Sequence, residues 1–534
     1  MNFVRKALLL AAGVLALVIA ARFAVGPYGL TLLAVTTPVN AEGIFGALLT
    51  ILLVTVARSR ACATPAAPAN TRLAAALTAS VVMIAAIAFA RSLSFSFLSD
   101  DFIVVSRAAV QTPATLLKFF TNAAGDGFYR PLGAVSFALE SLWAGFHPMR
   151  WHALTLAFHA VDAVLVLWLA WRLGASRFAG LFAAALFAVH GSRPETAVWI
   201  ASRYDLLATF FVLAGLLSFL RARGAGGRGG LVWHTTAILS MVLALLSKES
   251  AFIFPLLLLV VTPVDRVSLR DSLRTLLPYF AGAAMVFSYR WILFGGIGGY
   301  RLPQTGRPQA LSLGLATSLK AVFVRLWTAL YFPINWSQEP GLVLGILAFG
   351  YMICLVWLAA KSRPVATPWI PAAFVVISVI PPLHLLGIGP DMWGSRILYL
   401  PSAGFCLLLA LTVDGLPQPG RFIVPAVILA FNFTALQHNL DSWAYASSKV
   451  APACEMAARS LGPSSQVTVA GIPRYIRGVP AFANGFEECV ELRLGRDVQA
   501  SVLWDSRSAA APANTTLLVW DPASEQLECV QGCF

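Results

Sequence analysis

Apolar residues in this chain fall into long unbroken runs divided by short polar clusters, without the strict alternation of half-buried strands. Runs of roughly 18 or more apolar residues have the length of a bilayer-crossing helix. Taken in order, they predict spans near residues 7–25, 41–57, 73–94, 152–171, 178–190, 198–219, 231–247, 251–263, 276–294, 341–360, 368–388, 397–413 and 422–438. That is about thirteen crossings, several of them short enough to extend into their flanking motifs. The run at 312–332, SLGLATSLKAVFVRLWTALYF, stays out of the count. It reads as a helix lying at the outer interface, with Lys320 and Arg325 toward water. The opening MNFVRKALLLAAGVLALVIA, with Arg5 and Lys6 ahead of its apolar stretch, has the form of a cleavable signal. The next run begins so soon that an uncleaved first span, N-terminus inside, is the better reading.

From about residue 439 the pattern changes. SSQVTVAGIPRYIRGVPAFANGFEECVEL and NTTLLVWDPASEQLECV alternate short β-like runs with turn residues, and 451–460 and 481–493 have helical character. The expected organisation is N-terminal transmembrane helices at 1–72, a transmembrane module at 73–438 with a long outer loop at 95–151, and a small extracytoplasmic α/β domain at 439–534. The Gly-rich RGAGGRGG at 223–230 reads as a flexible cytoplasmic loop.

Composition agrees with the pattern. The 534 residues are 58% hydrophobic and only 12% charged, with mean hydropathy +0.77, too little charge to cover a soluble protein of this length. A net charge of +14 suits nucleic acid in principle. Here the cations sit between apolar runs, at Arg58/Arg60/Arg72, Arg172/Arg177, Arg221/Arg223/Arg228, Arg266/Arg270/Arg274, Lys361/Arg363 and Arg421. That is the distribution of cytoplasmic loops, so no nucleic-acid partner is expected. The C-terminus then lies outside, on the periplasmic or extracytoplasmic side of an inner membrane. Four cysteines of the tail, Cys454, Cys489, Cys529 and Cys533, either form two disulfides in one of three pairings or remain thiols.

With those cations assigned to the inside, the charges of the opposite face stand out. They occupy short motifs at span ends: Asp100 and Asp101 in FSFLSDDFIVV; Asp126, Tyr129 and Arg130 in GDGFYRPLGAVSF; His147, Arg150, His152 and His159 in FHPMRWHALTLAFHA. His190, Arg193, Glu195, Arg203 and Asp205 follow in ALFAVHGSRPETAVWIASRYDLLA, Lys248 and Glu249 in LLSKESAF, and Asp391, Arg396, Tyr399 and Ser402 in GPDMWGSRILYLPSAGF. Carboxylates, imidazoles and guanidiniums from separate hairpins at one depth predict a single polar pocket. Its natural occupant is an anion at headgroup depth, namely a phosphate. The Asp100–Asp101 pair suggests a general base, a divalent cation site for magnesium or manganese, or both. His152 and His159, seven apart with no HExxH or CxxC beside them, read as core hydrogen-bonding groups rather than zinc ligands.

At these motifs the sequence resembles the GT-C superfamily of membrane glycosyltransferases. The nearer likeness is to the protein O-mannosyltransferases of the transmembrane, tetratricopeptide-repeat-containing group. That group's pattern is a double Asp, YRPL with SF soon after, a His-rich helix, HP.H.EAV…GR.DLL, KE and LYLPS.GF. The chain carries DDF, FYRPLGAVSF, WHALTLAFH, VHGSRPETAVWIASRYDLL, SKES and ILYLPSAGF in the same order from about 73 to 445. Gly191 replaces the usual Pro, Arg193 the second His, and Asp162 stands where Asn is common; the tetratricopeptide array is absent. The resemblance implies an all-α, GT-C-like polytopic membrane protein. It implies a polyprenyl-phosphate sugar donor entering from the bilayer, a hydroxyl acceptor on protein, lipid or glycan, and transfer with inversion.

On this expectation Asp100 or Asp101 is the base or metal ligand, with Asp101 preferred. Tyr129, Arg130, His190, Arg193, Glu195, Arg203, Asp205, Lys248, Glu249 and Arg396 form the substrate and phosphate site. The competing readings are a flippase or transporter of lipid-linked intermediates and a noncatalytic assembly factor. Concentration of the polar residues at one face, without visible repeats, argues against the transporter.

Overall fold

In hydrocarbon every backbone polar group must be satisfied within its own segment, so the apolar runs become helices. The computed structural model of the chain describes residues 2–25, 38–55, 70–122, 127–262, 269–301, 308, 314–362, 368–383, 388–461, 466–505 and 515–533. Asp126, Arg58, Arg60, Arg266 and Arg363 lie outside the described residues. Among those described, eight helices have the length and apolarity to cross a membrane: Thr71–Ser94, Pro148–Arg172, Ile200–Gly224, Gly227–Ser247, Arg270–Phe294, Leu342–Lys361, Ser395–Val413 and Gly420–Ser460. Four shorter apolar helices, Asn40–Thr55, Arg177–Val189, Glu249–Val261 and Trp369–Ser378, fall on the runs at 41–57, 178–190, 251–263 and 368–388, the last much shorter than its run predicts. Large apolar side chains such as Met83, Ile87, Met285, Ile292, Leu342 and Ile346 stand exposed on the helices, as a lipid-facing surface requires.

Several local expectations are revised. Within the segment 312–332, Leu326–Tyr331 is buried against Pro38–Thr55. Close approach is possible because Gly43 and Gly46 face it, and a Cβ on Gly46 would come within 2.6 Å of the Tyr331 ring. Thr50 Oγ1 and the Tyr331 hydroxyl close the contact at 3.1 Å. The Gly-rich stretch is no long loop either, since one helix ends at Gly224 and the next starts at Gly227. The segment 95–151, expected as one long loop, contains three helices, Asp100–Ala109, Pro113–Thr121 and Pro131–Ala144. Two of them begin on proline, whose missing N–H costs nothing in a first turn. Thr112 and Thr115 add a reciprocal cap to the second.

The last helix, Gly420–Ser460, runs through residue 439 without a break and leads into the C-terminal region. There a four-stranded sheet has the order 499–503, 466–470, 516–521, 526–531, the first three strands parallel and the last antiparallel. The helix Phe486–Leu494 packs beside it, with Phe482, Phe486, Cys489, Val490, Leu518 and Trp520 in the core. The cysteines pair as Cys454–Cys489 and Cys529–Cys533, and the first pair ties this region to the long helix.

Candidate active site

The two adjacent carboxylates open a helix. Asp100 and Asp101 occupy the first turn of Asp100–Ala109, where free backbone N–H groups and the helix dipole favour negative charge. Successive helical residues point about 100° apart, so the two side chains part company at once. Asp101 turns inward and is 1% exposed. Its two oxygens accept the backbone N–H of Leu98 at 3.1 Å and of Ala201 at 2.9 Å, fastening the start of the helix to the turn before Arg203. Asp100 turns instead into a cavity of about 760 Å³. Burial pushes its carboxyl above the usual carboxylate range, while the Asn484 amide, Arg396 and Arg107 act in the opposite sense.

The far wall of that cavity comes from distant segments. Arg130, just ahead of the helix Pro131–Ala144, donates to both oxygens of Glu249 at 2.9 and 2.5 Å and lies 4.1 Å from the centre of the Phe128 ring. Lys248 Nζ lies 2.6 Å from each oxygen of Asp205. Burial pushes the Lys248 ammonium down and Asp205 opposes the shift. Arg396 is paired with Glu195 and stands 5.0 Å from the Trp199 ring and 4.9 Å from that of Trp393. Tyr129 donates its hydroxyl to Phe120 O at 3.0 Å, and partial burial raises it to about 12. Arg130, Asp205, Lys248, Arg396, Phe128 and Tyr300 also line a second, smaller cavity, whose other walls include Ser378, Pro381, Ile397 and Leu400. The two spaces therefore share one charged partition.

Of the residues expected at the site, Asp100, Tyr129, Arg130, Asp205, Lys248 and Arg396 line the main cavity, and Glu249 lines the smaller one. His190, Arg193, Arg203 and Asp101 do not line either. His190 bridges the Ser192 hydroxyl and Leu330 O, each at 2.9 Å. Arg193, 0% exposed, donates to Phe187 O at 2.8 Å and to Ser402 Oγ at 2.6 Å. Arg203 is paired with Glu140 in the interior and donates to Thr155 Oγ1 at 3.0 Å. Glu195 acts through Arg396, accepting its backbone N–H at 3.0 Å and the Ser395 hydroxyl at 3.1 Å. His159 is likewise used internally, between the Tyr399 hydroxyl and Ala188 O.

Among the cavity residues not singled out in the sequence, Arg107, Lys118 and Asn484 carry charge or an amide to the site. Arg107 follows Asp100 by seven residues, two turns along one face, a spacing that was there to be read. Lys118 comes from the capped helix Pro113–Thr121. Asn484 comes from the C-terminal region, and no local pattern marks it. The cations paired with carboxylates offset those charges, so Arg107 and Lys118 add to the positive side of the cavity. Of the two carboxylates expected to hold a divalent cation, only Asp100 lines the cavity. Asp101 spends both oxygens on backbone N–H groups, and Glu195, Asp205 and Glu249 are each held by a cation. Among the described residues no three His, Cys, Asp or Glu side chains group as metal ligands.

No protein-family model matches the chain. Protein O-mannosyl-transferase TMTC4 of Homo sapiens is 24% identical over 427 residues, covering 66% of this chain and 57% of that protein. TMTC3 of Mus musculus is 32% identical over 182 residues, 32% of this chain and 19% of the other. The chain thus spans about half the length of the relatives it matches most fully. Among solved structures, the oligosaccharyltransferase AglB of Archaeoglobus fulgidus matches 80% of this chain and 64% of its own, at 12% identity and a TM-score of 0.44. In sequence, this chain is similar over about two thirds of its length to the TMTC group of protein O-mannosyl-transferases, in keeping with its ordered motifs.

Proposed function

We propose that this protein is an integral-membrane glycosyltransferase that moves a sugar, mannose by analogy with its relatives, from a polyprenyl-phosphate donor to a hydroxyl acceptor. The reaction takes place at the outer face of the membrane. The observation that carries this reading is that Asp100 lines one cavity together with Arg130, Lys248, Arg396, Arg107 and Lys118. An anionic donor headgroup is attracted there. The smaller space beyond the charged partition, with Pro381, Ile397 and Leu400 in its wall, offers an apolar approach for the lipid.

Asp100 is the general base. It takes the proton of the acceptor hydroxyl as that oxygen forms a bond to the anomeric carbon of the sugar. The bond from that carbon to the phosphate oxygen breaks on the opposite side, so configuration inverts. The electron pair leaves with the polyprenyl phosphate, and Arg130, Lys248 and Arg396 stabilise the charge that develops there. Asp205, Glu249 and Glu195 keep these cations aimed before substrate arrives, which reduces reorganisation in the transition state.

The test is release of sugar from radiolabelled polyprenyl-phosphate mannose by the lipid-reconstituted protein, with cell-envelope membranes supplying acceptors. Asp100→Asn should bind donor yet turn over at least about a hundredfold more slowly. Equal turnover by Asp100→Asn and wild type, or no donor consumption by either, would instead favour a transporter of lipid-linked intermediates.

A further inference from the structure

The C-terminal sheet region does more than follow the last helix. Its loop 481–485 reaches across to the start of the helix that carries Asp100. The Asn484 side-chain amide donates to Asp100 Oδ1 at 2.7 Å. The neighbouring Ser99 is held from the same loop: its N–H donates to Ala481 O at 3.0 Å, and its hydroxyl accepts the Asn484 N–H at 3.2 Å. Ser99 is buried and has φ +49° and ψ −119°, a conformation that a residue with a side chain adopts only when its surroundings enforce it. Gly485, at φ +79°, lies so close that a Cβ there would meet Ser99 O at 2.4 Å. The disulfide Cys454–Cys489 anchors the other side of this loop to the long helix. Strain at the residue before the carboxylate, enforced by a segment some 385 positions away, suggests a constraint built for Asp100 rather than a chance contact.

We propose that Asn484 is a positioning residue for Asp100, and that the C-terminal region thereby completes the reaction site formed by the membrane helices. The inference rests on the reading of Asp100 as the base. With one oxygen held by Asn484, the other is left to accept the acceptor's proton, and the carboxylate is fixed in one orientation toward the cavity. The charged and titratable neighbours of Asp100 are Arg107 on its own helix, Asp101 behind it, Arg396 opposite and Tyr475 from the C-terminal region. Glu488, on the helix Phe486–Leu494, acts on Arg107, and Glu140 of Pro131–Ala144 is turned to Arg203. Asn484 is the neutral member, and its hydrogen bond favours the ionised form.

Two variants of the full chain, assayed for sugar release from radiolabelled polyprenyl-phosphate mannose over a range of pH, test this. Asn484 is exposed at the cavity, so its replacement should leave thermal unfolding in detergent near wild type. In Asn484→Ala, kcat should fall about tenfold with KM for donor little changed, and the acid limb of the profile should move to higher pH. In Asn484→Asp a second carboxylate faces Asp100, so the acid limb should move further up, with activity partly regained on the alkaline side. If Asp100→Asn abolishes turnover while Asn484→Ala keeps wild-type kcat and acid limb, the inference fails and the reading of Asp100 stands. Loss of activity in Asn484→Ala with an unmoved acid limb and lowered unfolding temperature overturns it too, leaving only a structural contact. If Asp100→Asn itself keeps wild-type turnover, the reading beneath the inference has failed.

Discussion

Arg130 grips Glu249 through two hydrogen bonds of 2.9 and 2.5 Å, although 119 residues separate them, and the pair forms part of the partition between the two cavities. A planar guanidinium held this way keeps its remaining N–H donors pointed in a fixed direction, which an ammonium cannot do. Arg130→Ala should lower kcat by about 100-fold, the usual scale for losing one donor to developing charge. Arg130→Lys should retain the charge and still lose about tenfold, because the fork is gone. Wild-type turnover in Arg130→Lys would reduce the pair to a structural tie.

The pH dependence has a definite sign. Burial raises the Asp100 carboxyl above the ordinary carboxylate range, and a base works only when ionised. Activity should therefore be full above that raised value and fall as pH drops through it. The acid limb of kcat/KM should stand above the range of an exposed aspartate and disappear from the residual activity of Asp100→Asn.

The same shift bears on stability. A group whose folded-state value is raised binds its proton more tightly in the folded protein, so its contribution to stability declines as pH rises from the ordinary range through the raised value. Ionised Asp100 is thus a cost to the fold at neutral pH. Asp100→Asn should unfold at the same temperature as wild type or higher at neutral pH, with the difference shrinking on acidification. A lower unfolding temperature would show that Asp100 has a structural role.

Asp101→Asn should behave differently. Both Asp101 oxygens accept backbone N–H groups, and an Asn side chain must offer an NH2 to one of those donors. One buried N–H loses its acceptor, a cost of about 1–3 kcal/mol. Thermal unfolding should fall, and any activity loss should follow the displaced helix start, with the acid limb of the surviving activity near its wild-type position.

The interior pair of Arg203 and Glu140 gives a prediction outside the cavity. Both side chains are inaccessible, and they join the helix Pro131–Ala144 to the helix Arg203–Gly224. Arg203→Met alone strands a buried carboxylate and should destabilise by about 3–5 kcal/mol. Adding Glu140→Leu should recover most of that loss. Chemical or thermal unfolding of the two variants in detergent measures both steps, and equal stability of single and double variants would contradict the pairing.

Much of this protein was legible along the chain. Length and apolarity mark the helices because a bilayer demands both within one continuous segment; the short runs at 178–190 and 251–263 reappear as equally short helices, while the run at 368–388 gives the shorter helix Trp369–Ser378. The helices inside the segment 95–151 are also announced, by Pro113 and Pro131 in first turns, although its length reads as a loop. The charged motifs gathered most of the cavity's charged side chains: Asp100, Arg130, Asp205, Lys248 and Arg396 meet there, with Tyr129 beside them.

What the sequence by itself determined is that charges collect at the ends of membrane helices; which of them face the cavity was decided only by the tertiary structure. Asp100 and Asp101 are chemically identical neighbours, and a rotation of about 100° along one helix sends one to the cavity and the other to backbone donors. Arg193 and Arg203 share the motif of Asp205, yet packing turns both into the interior, where Ser402 and Glu140 satisfy them. Asn484 reaches Asp100 only because the C-terminal region folds back over the helix start. Side-chain direction and long-range closure depend on how whole elements pack, and no local pattern of residues contains that information.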